Sequence, residues 1–394
     1  MEDDLALPDA KRHYWVAPMS LVLEALIGRH AMRQLLVLVA SLALASSLLA
    51  QSEQQGKQKK SKKELPSQVD LVPHEPAPIF TAEGPITFTI TANYDQLRHD
   101  RKQEAPWRWA SITVADSAEG KAELPLKVRT RGIWRLNKCD LPPLRLDFVK
   151  STVKQTVFSK LDKPKLVMHC RDNEEYEQYV LEEFQLYRIY NLLTKYSNRV
   201  RLARVTYADS GSGKVLATRW AFLEEEPDAV AYRVGGMLVK QKGAGPADLE
   251  PNADALFALF EYFIGNTDWS VNGLHNVELI DTALGYIPVA YDFDFSGAVN
   301  ARYATTDPSL PIHRVRDRLY RGYCVPDESY APAFELFNTR KDSIYALYRD
   351  SLGQLLKGDR VKETLEYFDD FYKTINDPRV AKHEIKDRCL SGSR

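Results

Sequence analysis

The sequence has almost no net charge, few cysteines and no apolar run long enough to cross a membrane. Its 394 residues carry 53 Lys and Arg against 54 Asp and Glu. A basic surplus accompanies nucleic-acid binding, so this balance argues against a nucleic-acid partner. Hydrophobic residues make up 44% of the chain and charged residues 27%. This composition is typical of a globular protein and excludes collagen-like, disordered and multi-span membrane classes.

Several catalytic motifs are also missing. The sequence contains no HExxH motif, no GxSxG nucleophile elbow and no CxxC pair, which lowers the odds of a zinc protease or a serine hydrolase. SGSGK at 210–214 lacks the GxxxxGK[ST] spacing of a phosphate-binding loop and lies between two strand-like segments. Its turn chemistry predicts a hairpin turn.

The longest apolar run, from Leu35 to Ala50, has 16 residues, whereas a membrane-spanning helix needs about 20. Met32 and Arg33 precede the run and small residues end it, as in a secretory signal peptide. We therefore predict a start at Met32, which makes 1–31 a mis-annotated extension, 32–50 a signal peptide and 51–76 a disordered Lys- and Gln-rich linker. The mature protein is expected to be secreted or periplasmic, with no stable membrane span; an uncleaved anchor is the alternative.

The four cysteines predict disulfide bonds, because an even number in an exported chain favours pairing. Cys139 and Cys170 each close a neighbouring strand pattern, so we expect these two to pair. That leaves Cys324 to pair with Cys389. Buried free thiols are the alternative.

The periodicity of apolar residues predicts a fold of the α+β class. Strand-like segments dominate about 77–225, with one strong helix at 175–195, and helical segments dominate about 226–390. We therefore expect one domain over 77–390 with a β-rich and a helical lobe. The strands are predicted at 86–91, 109–114, 124–129, 144–148, 165–170, 200–207, 215–222, 276–280 and 286–295, and the later helices at 253–264, 314–320, 331–356 and 361–375.

Acidic and amide side chains concentrate in two segments of the helical half. GNTDWSVNGLHN at 265–276 contains Asp268, Asn272 and Asn276, and IPVAYDFDFSG at 287–297 contains Asp292 and Asp294. A carboxylate within an apolar strand needs a partner, and ligands that offer only oxygen suit Mg²⁺ or Mn²⁺. Helix capping and turn formation are the alternative roles for these aspartates.

The strong helix carries a second buried acid. Glu183 lies on its apolar face, whereas Glu182 points away from that face. A carboxylate on a buried face needs a cation, which Lys165 on the preceding strand could supply.

RTRGIWR at 129–135, PPLRLDF at 142–148, LEEFQLYRIYNLL at 181–193 and the two segments above resemble the spore coat protein H (CotH) kinase-like family, in its exported branch. The resemblance covers roughly 120–300. It implies a two-lobed protein-kinase-like fold that binds ATP with a divalent metal. In such a protein Asp268 would be the catalytic aspartate, Asn276 and Asp292 would bind metal with Asp294 as a lesser candidate, and Lys165 with Glu183 would position the nucleotide.

Two features depart from the kinase pattern. Asn276 lies eight residues after Asp268 and Asn272 four, whereas kinase catalytic loops have D-x-x-x-x-N, so either asparagine is a candidate metal ligand. No GxGxxG loop that could cover the phosphates is evident.

The leading hypothesis is an exported kinase-like enzyme that transfers phosphate from ATP to a hydroxyl of an extracytoplasmic protein or cell-envelope component. Asp292-Phe293-Asp294 is also a DxD triplet, so a nucleotide-sugar glycosyltransferase is one alternative. A catalytically inactive kinase-like scaffold is another.

Overall fold

The computed structural model describes residues 75–102, 104–114 and 122–392. The predicted extension and signal peptide lie outside these residues, as does the linker apart from its last two positions. Within the described ranges, no helix is long and apolar enough to cross a membrane.

Seven strands of the N-terminal half form a closed barrel in the order β1-β2-β3-β4-β5-β7-β6. Neighbours pair antiparallel except β1 and β6, which run parallel and close the barrel. The strands are β1 (Ile86–Ala92), β2 (Arg108–Val114), β3 (Ala122–Thr130), β4 (Leu144–Phe148), β5 (Lys165–Met168), β6 (Val200–Asp209) and β7 (Val215–Glu224).

Alternating side chains fill the barrel. In β1, Phe88 and Ile90 are buried in a core that also contains Leu146 and Val205, whereas the threonines between them point outward. Such alternation is what a barrel requires of each strand. A separate hydrophobic core lies among the helices.

The prediction of a two-lobed protein-kinase-like fold is therefore wrong. A closed seven-stranded barrel is followed by a helical C-terminal half. The closing pair aligns Ile86 with Ala203, two residues far apart in the sequence. Alternation predicts where a strand runs but not which distant edge it meets, so the pattern contained no signal for closure.

The later part of the chain contains a small sheet of three antiparallel strands in the order β10-β9-β8. These are β8 (Met237–Val239), β9 (Val277–Thr282) and β10 (Gly285–Ala290). The α-helices of the described residues are α1 (Tyr94–His99), α2 (Trp134–Lys138), α3 (Glu174–Leu193), α4 (Pro227–Val234), α5 (Pro251–Ile264), α6 (Asp327–Ala346), α7 (Gly358–Asn376) and α8 (Pro378–Glu384).

Two disulfide bonds join Cys139 to Cys170 and Cys324 to Cys389, which confirms the predicted pairing, and the described residues contain no free cysteine. The first bond ties the end of α2 to the residues after β5. The presence of both is consistent with an extracytoplasmic location.

Candidate active site

The β9–β10 hairpin brings Asn276 next to Asp292. Val277 pairs with Ala290, and the pairing continues outward because the Tyr291 N–H donates to the Asn276 carbonyl oxygen at 3.2 Å. Both Asn276 and Asp292 have positive φ, 51° and 64°. Asn and Asp adopt this left-handed backbone more readily than other residues apart from glycine, and such positions cluster at functional sites.

The loop after α5 holds Asp268 against the same hairpin. The Asn276 side-chain amide donates to the Asp268 carbonyl oxygen at 2.7 Å and to its Oδ2 at 3.3 Å. The Asp268 N–H in turn donates to Asn266 Oδ1 at 3.0 Å. His275 Nε2 lies 2.9 Å from Asp268 Oδ1, and the Asp268 side chain is 44% exposed. A reactant could therefore reach this carboxylate.

The indole of Trp269 anchors this loop. It is buried and packs edge-on against Phe257 of α5, with ring centroids 4.9 Å apart. The Trp269 Nε1 donates to the Asn266 carbonyl oxygen at 3.2 Å. The Trp269 carbonyl oxygen accepts a hydrogen bond from Arg321 at 3.0 Å. These contacts hold the loop between Asp268 and Asn276 in one conformation.

The alternative ligand Asn272 is not part of this group. Its side chain is exposed, and its carbonyl oxygen accepts the Gly243 N–H at 2.9 Å. The structure brings the side chain of Asn276, eight residues after Asp268, to Asp268. The hydrogen bond from the Tyr291 N–H to the Asn276 carbonyl oxygen places Asp292 beside it in the chain.

Glu183, Asp292 and Asp294 form an acidic group beside this loop, in which Glu183 and Asp294 are buried and Asp292 is half-buried. Burial, followed by the charge of Asp292, raises the pKa of Asp294 to about 6, and the charge of Asp268 adds to this. Burial and then the charges of Asp294 and Asp292 raise the pKa of Glu183 well above its ordinary value. Glu183 Oε1 is buried without a hydrogen-bond partner among the described residues. Glu183 and Asp294 therefore favour the protonated form, or a bound cation in place of the proton.

Arg135 of α2 is the cation next to these acids. Its Nη1 lies 3.8 Å from Asp294 Oδ2, and its Nη2 donates to the Met168 carbonyl oxygen at 2.6 Å. Burial lowers the pKa of Arg135, but its interactions with Tyr303 and Asp294 outweigh burial and raise it overall. The Tyr303 hydroxyl donates to Asp294 Oδ2 at 3.0 Å. Arg135 and Tyr303 were not predicted as site residues, although Arg135 ends the RTRGIWR motif.

Lys165 does not pair with Glu183 as predicted. Among the described residues its ion pairs are with Glu224 of β7, at 2.8 Å, and with Glu278 of β9, at 3.9 Å. Burial lowers the pKa of Lys165, but these two carboxylates outweigh burial and raise it overall. Its Nζ lies 4.0 Å from the ring centroid of Tyr291, the residue that precedes Asp292 in the sequence.

Glu182 was expected to point away from the core, and this expectation is wrong. Fifteen of the twenty residues of α3 are buried, because α3 contacts barrel strands on one side and α6 on the other. The Tyr348 hydroxyl donates to Glu182 Oε1 at 2.7 Å, and burial raises the pKa of Glu182 to about 7. Helical periodicity predicts one buried face. It therefore fails for a helix that is packed on several sides, as α3 is.

The donor set fits a divalent cation only when a substrate supplies further ligands. In the described residues, no group of three or more His, Cys, Asp or Glu side chains could hold a metal ion by itself. Asp292 and Asn276 are adjacent, and Asn276 already donates with its amide nitrogen, so its amide oxygen would bind a cation. Mg²⁺ is commonly held by one or two carboxylates together with substrate phosphates.

Comparison with protein-family models and with curated proteins finds no match for this chain.

Proposed function

We propose that the chain is a secreted or periplasmic phosphotransferase that moves the γ-phosphoryl group of ATP to a hydroxyl of a protein or cell-envelope acceptor. The proposal makes no use of a kinase-like fold. Its main support is that Asp268, Asn276 and Asp292 meet in one site, from two segments that resemble CotH-family motifs. Asp268 is accessible there, while Asn276 and Asp292 are held in left-handed backbone.

Phosphoryl transfer requires mainly positioning and charge neutralisation. Asp268 would accept the proton of the attacking hydroxyl, while the bond between the γ-phosphorus and its bridging oxygen breaks and the new phosphorus–oxygen bond forms. ADP and the phosphorylated acceptor are the products. His275, at 2.9 Å, would orient the Asp268 carboxylate.

The remaining residues would bind the nucleotide. Asn276 and Asp292 would hold Mg²⁺ or Mn²⁺, which neutralises phosphate charge when bound. Asp294 is the weaker ligand candidate, since its Oδ2 accepts from Tyr303 and lies near Arg135. Lys165, next to Tyr291, would bind a phosphate oxygen, and Glu224 rather than Glu183 would position it.

Incorporation of label from γ-labelled ATP tests the proposal. We expect the wild-type protein to become labelled with Mg²⁺ or Mn²⁺ and to lose labelling with a chelator. Asp292→Ala should lower the rate by about 100-fold or more, because even indirect partners of a metal cost 10–100-fold. Asp281→Ala is the matched control, since Asp281 lies on β9 of the same hairpin, away from this group.

Calorimetry with ATP and metal gives the decisive negative result. If the wild-type protein shows no metal-dependent binding of ATP, the proposal is wrong. Thermal stabilisation by a UDP-sugar but not by ATP would favour the glycosyltransferase alternative. Biological activity that survives both Asp268→Ala and Asp292→Ala would favour the inactive scaffold.

A further inference from the structure

Two tryptophans lie on the outside of the barrel, away from the hydrophobic cores. Trp109 of β2 is 66% exposed, and Trp107, two residues earlier, is partly exposed. Trp107 comes just before β2, but the two indoles contact Lys127 and Arg129, which are two residues apart on β3 and so point to the same side. Both indoles therefore belong to one outer surface. Large aromatic side chains are usually well buried, and a pair of this kind marks a binding surface better than a single one does.

A basic side chain lies over each indole. Lys127 of β3 pairs across the strands with Trp109, and its Nζ lies 4.9 Å from the ring centroid. The Arg129 guanidinium carbon lies 4.7 Å from the ring centroid of Trp107. These contacts restrain the rings and keep two cations beside them. We call Trp107, Trp109, Lys127 and Arg129 the tryptophan face.

The cations of this face have no anionic partner of their own. In the described part of the chain, neither Lys127 nor Arg129 forms an ion pair of 4.0 Å or less. Asp147 is opposite Lys127 in the register, but its ion pair is with Lys163 at 3.8 Å. The face is thus complementary to an anion.

The basic character continues along the barrel towards the candidate active site. Arg129 pairs in register with Arg145 of β4, and Arg145 pairs with Lys165 of β5. All three side chains lie on the outer side of the barrel wall, because directly paired residues point to the same side of a sheet. Lys165 is covered there by Glu224 and Glu278 and is only 14% exposed. A polymer held on the tryptophan face would therefore extend towards Lys165 and Asp292.

We propose that the tryptophan face binds an acidic polysaccharide, that is, a chain of sugar rings that bear carboxylate groups. Flat, restrained indoles offer apolar surface on which the C–H face of a sugar ring can pack. Lys127 and Arg129 beside them would bind the carboxylates. A peptide with acidic side chains would satisfy the charges but gives no repeated flat partner for two rings. This inference is independent of the proposed phosphotransfer.

Calorimetric titration of the full chain with polygalacturonate, without nucleotide or divalent metal, tests the inference. We expect binding that weakens as salt is raised, and no binding of neutral dextran. Trp109→Ala should weaken binding by about tenfold or more, the usual cost of removing an aromatic anchor. Trp109→Phe should retain most of the affinity. The double variant Lys127→Ala/Arg129→Ala should bind more weakly and lose most of the salt dependence.

Two control variants test whether any exposed apolar or basic side chain would contribute to binding. Leu284→Ala removes an apolar side chain that is 71% exposed on the β9–β10 turn, and Lys362→Ala removes an exposed cation of α7. Both should bind polygalacturonate like the wild type.

Three results would overturn the inference: no binding of polygalacturonate by the wild type, equal binding by Trp109→Ala, or tighter binding of polyglutamate or of a single-stranded oligonucleotide. Because neither ATP nor metal is present, failure of the phosphotransfer assay leaves these measurements unaffected.

Discussion

Asp268 offers the most direct test of the proposed chemistry at the level of single residues. Its carboxylate is partly exposed and contacts His275 and Asn276, so Asp268→Asn should leave the fold intact. We expect the rate of label transfer to fall by about 10²–10⁴-fold, the usual contribution of a general base. ATP affinity in the presence of Mg²⁺ should stay within about twofold of the wild type, because Asp268 would orient the hydroxyl and not the nucleotide.

His275→Ala is the companion variant, since His275 would act only through Asp268. A smaller loss of rate than in Asp268→Asn is expected. An equal loss of rate and of ATP affinity in Asp268→Asn would contradict the role assigned to this residue.

Glu182 gives a prediction on pH. Its pKa is about 7 in the folded chain against an ordinary value of 4.5, so the folded state keeps a proton that the unfolded chain releases over this interval. The free energy of unfolding should therefore fall as pH rises from about 4.5 to about 7, by up to about 3 kcal/mol from this one group. Glu182→Gln keeps an acceptor for Tyr348 and removes the titration. Urea denaturation at several pH values should show a flatter dependence in the variant.

Other buried acids contribute to the slope of the wild type, because burial also raises the pKa of Asp254 and Glu278 to about 7. The difference between wild type and Glu182→Gln isolates the one residue. Glu366→Gln, at an exposed position of α7, should keep the full slope; if Glu182→Gln does so too, Glu182 is not protonated in the folded chain.

Among the elements, the end of α5 controls where the Asp268 loop begins. Gly265 ends this helix with φ at 67°, a left-handed conformation that favours glycine. A Cβ at this position would collide with the Tyr367 hydroxyl. Gly265→Ala should therefore destabilise the protein by about 2 kcal/mol or more, with contributions from backbone strain and overpacking. Its unfolding by urea measures the loss.

Tyr367→Phe provides the matched background. The Tyr367 hydroxyl is buried without a hydrogen-bond partner among the described residues, so its removal should cost less than about 1 kcal/mol. Gly265→Ala should be less harmful in this background than alone, since the colliding atom is gone. Strict additivity of the two changes would show that the contact is absent.

The strength of local patterns decided which elements the sequence could predict. The alternation of isoleucine, phenylalanine and threonine predicted β1 to within one residue of its end. The predicted helix at 314–320 is not helical. Arg318 there donates to the carbonyl oxygens of Phe263 and Tyr367, and Arg314 binds Asp317. These arginines therefore make tertiary and turn contacts. In the sequence, such residues show the same spacing as the polar face of a helix.

The whole molecule depends on long-range pairing that no local pattern contains. The disulfide pairs were predictable because four cysteines permit few arrangements. The proximity of Asn276 to Asp292 could also be predicted, since both lie in a predicted pair of neighbouring strands, 276–280 and 286–295. Barrel closure and the pairing of Lys165 with Glu224 could not be predicted from the sequence. The closing strands are far apart in the sequence, as are Lys165 and Glu224, and no motif marks them.

Closure of the barrel can be tested directly at the β1–β6 edge. Thr89 is the register partner of Thr206, and both side chains are outside the barrel core. Thr89→Cys/Thr206→Cys should form a disulfide under oxidising conditions and raise the free energy of unfolding by at most about 5 kcal/mol. The pair Thr87→Cys/Thr206→Cys is the control, because an offset of two residues separates the Cα atoms by about 8 Å, beyond the reach of an unstrained bond. Thiol titration and mass mapping of unreduced digests distinguish the two. Free thiols in both variants would mean that β1 and β6 are separate edges of an open sheet.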